Sequence, residues 1–178
     1  MTVTDLRYPI GKFSSDGAMT EARRAECIAR IAAAPGRLRA AVTGLDDTQL
    51  DTPYRPEGWT VRQVVHHVPD SHLNAYTRVR LALTEDTPTI KPYEEARWAE
   101  LPDARTLPVE ISLHLLESLH ARWVPLLQRL GAAEGARQFR HPELGRLVAI
   151  DEVIAMYAWH GDHHVAHVTR LRERLGWR

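Results

Sequence analysis

A chain of 178 residues in which 23 Lys and Arg balance 23 Asp and Glu can bury a core without disulfides or a structural metal, and its formal neutrality argues against a nucleic-acid partner, which calls for a basic face and a high pI. The single cysteine, Cys27, excludes an intrachain disulfide and a cysteine-built zinc site, and in its Ala- and Ile-rich surroundings it reads as a small buried hydrophobe. The first thirteen residues lack the charged start and apolar run of a signal peptide, and no stretch of about 18 apolar residues occurs, so one cytoplasmic domain over 1–178 with no membrane partner is expected.

In chain order, an extended segment from Tyr8 to Phe13 precedes a helix that Thr20 can cap and that runs toward Ala34. Pro35-Gly36 should interrupt it, leaving Arg37 to Thr43 as a separate or kinked piece. The second helix has a clearer start, because Thr60 followed three residues later by Gln63 forms a capping box; it should continue to about Thr84. Residues 85–107 are punctuated by prolines and read as a long, mostly irregular connection, either a crossover or a functional lid. Helix three begins near Pro108 and runs to Leu130, with a kink expected at Pro125. Gln138 to Val148 reads as a short irregular or β-like excursion, and the fourth helix runs from about Asp151 to Leu175 and ends at Gly176. Arg170, Arg172, Arg174 and Arg178 cluster at that end, where they complement the helix dipole. Four helices with one long crossover define an all-α four-helix bundle.

The ten histidines do not all face the same way. On the fourth helix Val153, Ile154, Tyr157, Val165, Val168, Leu171 and Leu175 share one face, with His164 near its middle and His160 further to one side. These two are four apart and therefore neighbours on the helix surface. Gly161 lies on the same face and leaves room for another helix or a ligand; His163 points away toward solvent, and His167 lies on the flank. On the second helix Val61, Val64, Val65 and Val68 form the core stripe, with His72 directly on it. His67, Ser71, Asn74 and Arg78 form a polar stripe along its edge, which suits a bundle wall lining a pocket, whereas His66 points further from the core than His67. Two imidazoles on a buried face are costly unless something satisfies them, and three would bind a divalent metal and leave an open position, the arrangement of catalytic zinc. With ten histidines a pair four apart also arises by chance, so ordinary packing histidines are the competing reading.

Two known metal patterns fail. A zincin helix needs Glu directly after its first His, where this chain has Gly161, and the acid that follows, Asp162, points outward. A di-iron bundle needs Glu-x-x-His on two helices; only Glu117 to His120 fits, with Glu117 facing away and His120 more suited to a hydrogen-bonded packing role. There is no Gly-x-Ser-x-Gly elbow, no phosphate-binding Walker loop and no dinucleotide Gly-x-Gly-x-x-Gly.

The segments Tyr8-Pro9-Ile10-Gly11-Lys12-Phe13, Trp59 to His67, Lys91-Pro92-Tyr93-Glu94 and Tyr157 to His164 resemble, in order and along nearly the whole chain, the YfiT-like branch of the DinB-like superfamily. The resemblance implies a four-helix bundle, often a homodimer, with a three-histidine metal site falling on His67, His160 and His164, the residues also singled out by their facing. It further implies a cytoplasmic metal-dependent enzyme with zinc, or alternatively nickel, acting on a small molecule. A thiol S-transferase with bacillithiol or a similar small thiol as co-substrate fits best, because a metal deprotonates a coordinated thiol without a protein base and no well-placed Glu is evident. Asn74, Arg78 and the Lys91–Tyr93 segment are candidates to hold an anionic thiol, with Arg78 equally explicable as a solvated helix-end charge, and no catalytic acid or base is assigned. The alternatives are a hydrolase that activates water on the metal and a non-catalytic metal-binding scaffold.

Overall fold

The computed structural model describes residues 5–15 and 19–177, so Arg178 of the C-terminal arginine cluster lies outside the described residues. Four long helices, α1 (Glu21–Val42), α3 (Val61–Thr84), α6 (Val109–Leu127) and α8 (Ile150–Leu175), form the bundle. Shorter elements join them: α2 (Asp47–Leu50), α4 (Glu95–Trp98), α5 (Pro102–Thr106), α7 (Ala132–Gly135) and a hairpin of β1 (Gln138–His141) and β2 (Arg146–Ala149). Thr20 caps α1 by accepting from the Arg23 amide. The capping box of α3 is complete, with Thr60 Oγ1 3.1 Å from the Gln63 amide and Gln63 Oε1 2.9 Å from the Thr60 amide. Past Leu175, Gly176 takes the left-handed conformation (φ +67°) that ends α8.

The expected interruption at Pro35-Gly36 does not occur. α1 is continuous over 22 residues, because Ile31, Ala34, Pro35, Leu38 and Ala41 are all buried along it and that packing outweighs the roughly 3 kcal/mol cost of an interior proline. Pro69 and Pro125 also lie inside helices, and α6 ends at Leu127 rather than Leu130.

Cross-helix contacts fix the directions. Arg24 binds Asp151, Arg30 binds Asp162 and Arg172 donates to the Ala41 carbonyl, so α1 and α8 run parallel. His66 meets Ser112 and His72 meets His120, so α3 and α6 are also parallel. The two pairs oppose each other: His67 lies beside His164 while Ser71 meets Tyr157, and the Ile31 carbonyl meets His120 while Arg39 meets Glu117. Because α3 and α6 are parallel neighbours, the chain must return along the whole of α3, ~36 Å at 1.5 Å per residue for its 24 residues, before α6 can begin. Residues 85–108 make this crossover and carry two short helices, α4 and α5, within it. The excursion expected at 138–148 is the antiparallel β hairpin, with Phe139 opposite Val148, and its strand β1 also receives the start of the crossover, since the Ile90 amide donates to the Arg140 carbonyl.

The core falls into two apolar clusters. One gathers Ile31, Ala75, Trp123, Leu127, Phe139 and Ile154; the other gathers Leu38, Val61, Val64, Leu116, Val168 and Leu171. Along α3 and α8 the residues between the two clusters include histidines, His72, His160 and His164, and His120 of α6 sits just inside the first cluster, next to Leu119. The bundle thus contains a layer of imidazoles between two hydrophobic halves.

Candidate metal centre

α8 carries His160 and His164 one turn apart, and antiparallel α3 brings His67 against them. One ring nitrogen from each lies within 4.8 Å of the others. Ring centroids are 4.5 Å apart for His160–His164, 4.9 Å for His67–His164 and 5.4 Å for His67–His160, and Trp59 packs on His67 at 4.7 Å. Burial pushes the His67 imidazole down to about 4 and those of His160 and His164 well below the ordinary 6.5, with neighbouring imidazoles adding to the effect. All three rings are therefore neutral at pH 7 and have a lone pair to offer. Gly161, between the two α8 histidines, serves helix packing: a Cβ there would stand 2.9 Å from the Ala34 Cβ of α1.

His163 and His66 are more buried than the helical pattern suggests. His163, expected to be solvated, is 6% exposed, because the N-terminal segment folds over α8 and Tyr8 lies beside it while Trp159 stacks on it at 4.3 Å. Helix periodicity cannot register a cover supplied by a segment outside the bundle. His66 is likewise buried: α6 reaches it through Ser112 Oγ at 2.7 Å, and the Leu107 carbonyl lies 3.1 Å away. His120 is a hydrogen-bonded packing residue, 2.8 Å from the Ile31 carbonyl and 2.8 Å from His72. Asp162 turns to α1, where Arg30 and Arg37 bind it, and Glu117 pairs with Arg39 away from the trio. Cys27 is buried, and burial pushes its thiol up, as for an inert core cysteine.

The trio opens on a cavity of about 650 Å³. Trp59, Ser71 and Tyr157 line it near the histidines, and Arg78 together with His141 and Arg146 of the hairpin lines it elsewhere. Ser71 and Tyr157 are joined, Tyr157 Oη donating to the Ser71 carbonyl at 3.1 Å and lying 3.1 Å from Ser71 Oγ. Arg78 Nε and His141 Nδ1 are buried without a hydrogen-bond partner, whereas Arg146 is held by Glu152. Asn74 lines a second cavity of about 880 Å³ with Lys91, Tyr93 and Trp98, and its amide donates to the Asp70 carbonyl; Ala96 borders both cavities. The sequence singled out Arg78 and Asn74 as one stripe, and the crossover divides them between these spaces. Tyr157 was hidden in the apolar stripe of α8. His141 and Arg146 carry no local signal, because only the folding of the hairpin onto α3 and α8 brings them here.

The donor set fits a divalent metal. Nitrogens around a tetrahedral ion with bonds of 2.0–2.1 Å lie ~3.3 Å apart, so the trio needs only small side-chain movements to close on one. Three neutral imidazoles suit zinc, nickel, copper or iron. Among the described residues no carboxylate hydrogen-bonds to any of the three, so the zincin and di-iron arrangements are absent in space as in sequence.

An up-down-down-up helical bundle with three histidines converging on a cavity wall defines a class of potential metal sites, and comparison with known proteins gives it a family. The chain belongs to the DinB superfamily, whose family model matches residues 30–168. A Bacillus mycoides protein whose name marks it as a candidate metal-dependent hydrolase is 56% identical over 173 residues, covering 97% of this chain and 99% of that one. A Bacillus cereus protein of the same designation is 55% identical over 175 residues, 98% of this chain and all of the relative. The solved structure of YfiT from Bacillus subtilis, described as a probable metal-dependent hydrolase with an unusual four-helix bundle topology, superposes with a TM-score of 0.95 at 44% identity, covering 97% of this chain and 99% of that one. Among the described residues no helix is long and apolar enough to cross a membrane.

Proposed function

We propose that this chain is a divalent-metal-dependent enzyme in which His67, His160 and His164 hold one ion, zinc in the first instance and nickel as the alternative, and that it transfers a small thiol of the bacillithiol type to an electrophilic carbon. The observation that carries this reading is three neutral imidazoles, two buried and His160 half-buried, opening on a cavity of about 650 Å³ with no carboxylate bonded to them. A divalent cation supplies Lewis acidity, lowering the pKa of a thiol or water brought to it. A thiol nucleophile suits a site without an adjacent protein base, since its proton passes to solvent. Sulfur then forms the new C–S bond as a carbon–halogen bond breaks, or as an epoxide C–O bond opens and its oxygen takes up a proton.

The chain's own residues orient this encounter. Arg78 and His141 offer buried, unpartnered nitrogens to an anionic group on the thiol, and Asn74 and Lys91 line the adjoining space. Trp59 and Tyr157 wall the reacting end. A homodimer belongs to the same proposal, and the exposed Ile111 and Leu115 of α6 offer it an apolar face. The names of the relatives favour a second reading, hydrolysis of an ester or amide by activated water.

Incubation of zinc-loaded protein with bacillithiol and a haloalkyl or epoxide acceptor separates the readings. A conjugate formed above background supports the transferase, and its absence overturns it. Turnover of esters or amides without any thiol establishes the hydrolase instead. If neither reaction is detected although His160→Ala lowers stability, the centre is a scaffold.

A further inference from the structure

Three histidines stand behind the trio, and their hydrogen bonds decide which nitrogen two of the ligands can present. The Ile31 carbonyl can only accept. It is free to do so because the residue four positions on, whose amide would normally donate to it, is Pro35. His120 Nδ1 lies 2.8 Å from this carbonyl and so carries the proton, which leaves the Nε2 of a neutral ring bare. His72 Nδ1, 2.8 Å from His120 Nε2, must then donate, leaving its own Nε2 bare. His160 Nδ1, 3.2 Å from His72 Nε2, must in turn carry a proton, and the lone pair left to His160 is on Nε2. A shorter chain acts on the other α8 histidine. The Arg7 carbonyl, 3.2 Å from His167 Nε2, fixes the proton there; His167 Nδ1 is therefore an acceptor, and His164 Nδ1, 3.4 Å away, donates to it.

We infer that His72, His120 and His167 are positioning residues of the metal centre, forming two imidazole chains that each end on a backbone carbonyl and lock His160 and His164 as Nδ1–H tautomers with Nε2 aimed at the ion. The inference rests on the trio being the metal site. A histidine ligand ordinarily donates its second nitrogen directly to a carboxylate, carbonyl or water; here a carbonyl does this work at a distance of one or two rings. The longer chain crosses all four long helices, from Ile31 on α1 through His120 on α6 and His72 on α3 to His160 on α8. His72 is fully buried, and His120 and His167 nearly so, so water has little access to these bonds. The same chains explain why so many imidazoles are tolerated in the core: each ring in them has a partner for both of its nitrogens once an ion is in place.

Two measurements test this. In metal-free wild-type protein at pH 7.5, long-range ¹H–¹⁵N correlations of ¹⁵N-histidine should show Nδ1–H tautomers for His160, His164, His72 and His120, and Nε2–H for His167. An Nε2–H tautomer at His160 or His164 overturns the inference, whether or not zinc binds. The second measurement is zinc affinity, by competition with a chromophoric chelator, for His167→Asn and His167→Leu. Asn places an acceptor oxygen where Nδ1 stood, and Leu fills the space without one. Zinc affinity should fall by about 10–100-fold in His167→Leu and stay within about threefold of wild type in His167→Asn, the range expected on losing an outer-shell partner. Equal losses in both variants, or none in either, would reduce His167 to a packing residue. Wild-type protein that binds no zinc refutes the metal-site reading and leaves the tautomer result standing by itself.

Discussion

His67, His160 and His164 pack against one another, and three rings packed this way are costly unless something satisfies their nitrogens. Elemental analysis of untagged protein prepared without chelator should therefore find about one zinc or nickel per chain, and both His67→Ala and His160→Ala should lose it, since two remaining nitrogens hold a metal weakly. A metal content unchanged by either substitution removes these residues as ligands. At the other side of the cavity, Arg78 presents a buried, unpartnered Nε. Arg78→Ala should raise KM for an anionic thiol about 10–100-fold with kcat little changed, as befits the loss of a charge-assisted hydrogen bond used in binding. If kcat falls and KM holds, Arg78 acts on the reaction rather than on the thiol.

At the scale of the helix, the separation of α1 and α8 is set where Gly161 faces Ala34. Gly161→Ala places a methyl group 2.9 Å from the Ala34 Cβ, an overpacking of about 1–3 kcal/mol from which better helix propensity returns up to ~1 kcal/mol. The variant should be less stable by about 1 kcal/mol, a fall in Tm of roughly 2–4 °C. Adding Ala34→Gly should recover part of that loss; strictly additive effects in the double variant would show that the two positions are uncoupled. This contact also shows what the sequence could and could not reveal. Period and facing on α3 and α8 were enough to single out the three histidines that converge, because both helices are regular and both bury that face. The capping box at Thr60 and the glycine stop at Gly176 located helix ends for the same local reason. The burial of His163 and His66 was not legible, because His163 is covered by the N-terminal segment and His66 by α6, neither of them sequence neighbours. Pro35 misled for a related reason. Its local preference is to break a helix, while its effect in the bundle is to release the Ile31 carbonyl to His120.

For the molecule as a whole, a core containing neutral imidazoles makes stability depend on pH, and two non-ligand groups pull in opposite directions. Burial holds His120 at about 4, against an ordinary 6.5, despite its bond to the Ile31 carbonyl. Between those values the unfolded chain takes up a proton that the folded chain refuses, so stability falls as pH drops from 6.5 toward 4. The difference of about 2.5 units corresponds to at most ~3 kcal/mol. Asp70 has the reverse sign. Burial, with Asp103 nearby, raises its carboxyl from 3.8 to about 6, so the folded chain binds this proton more readily and gains stability as pH falls through 6 toward 3.8. Because Asp70 is only half-buried, water screens part of this, and on the order of 1–2 kcal/mol is expected. Urea midpoints of chelator-treated protein between pH 8 and 4.5 should thus fall on acidification, because His163 and His167 are also held at about 4 and Asp70 offsets only part of the loss. Asp70→Asn should raise stability at pH 8 and steepen the acid loss, because the opposing carboxyl is gone. His120→Asn, which still offers an amide to the Ile31 carbonyl, should be less stable throughout yet flatten the slope between pH 4.5 and 6.5. Slopes that neither substitution alters would show that proton uptake in this range occurs elsewhere in the molecule, and that the imidazole layer is solvated rather than sealed between the two apolar clusters.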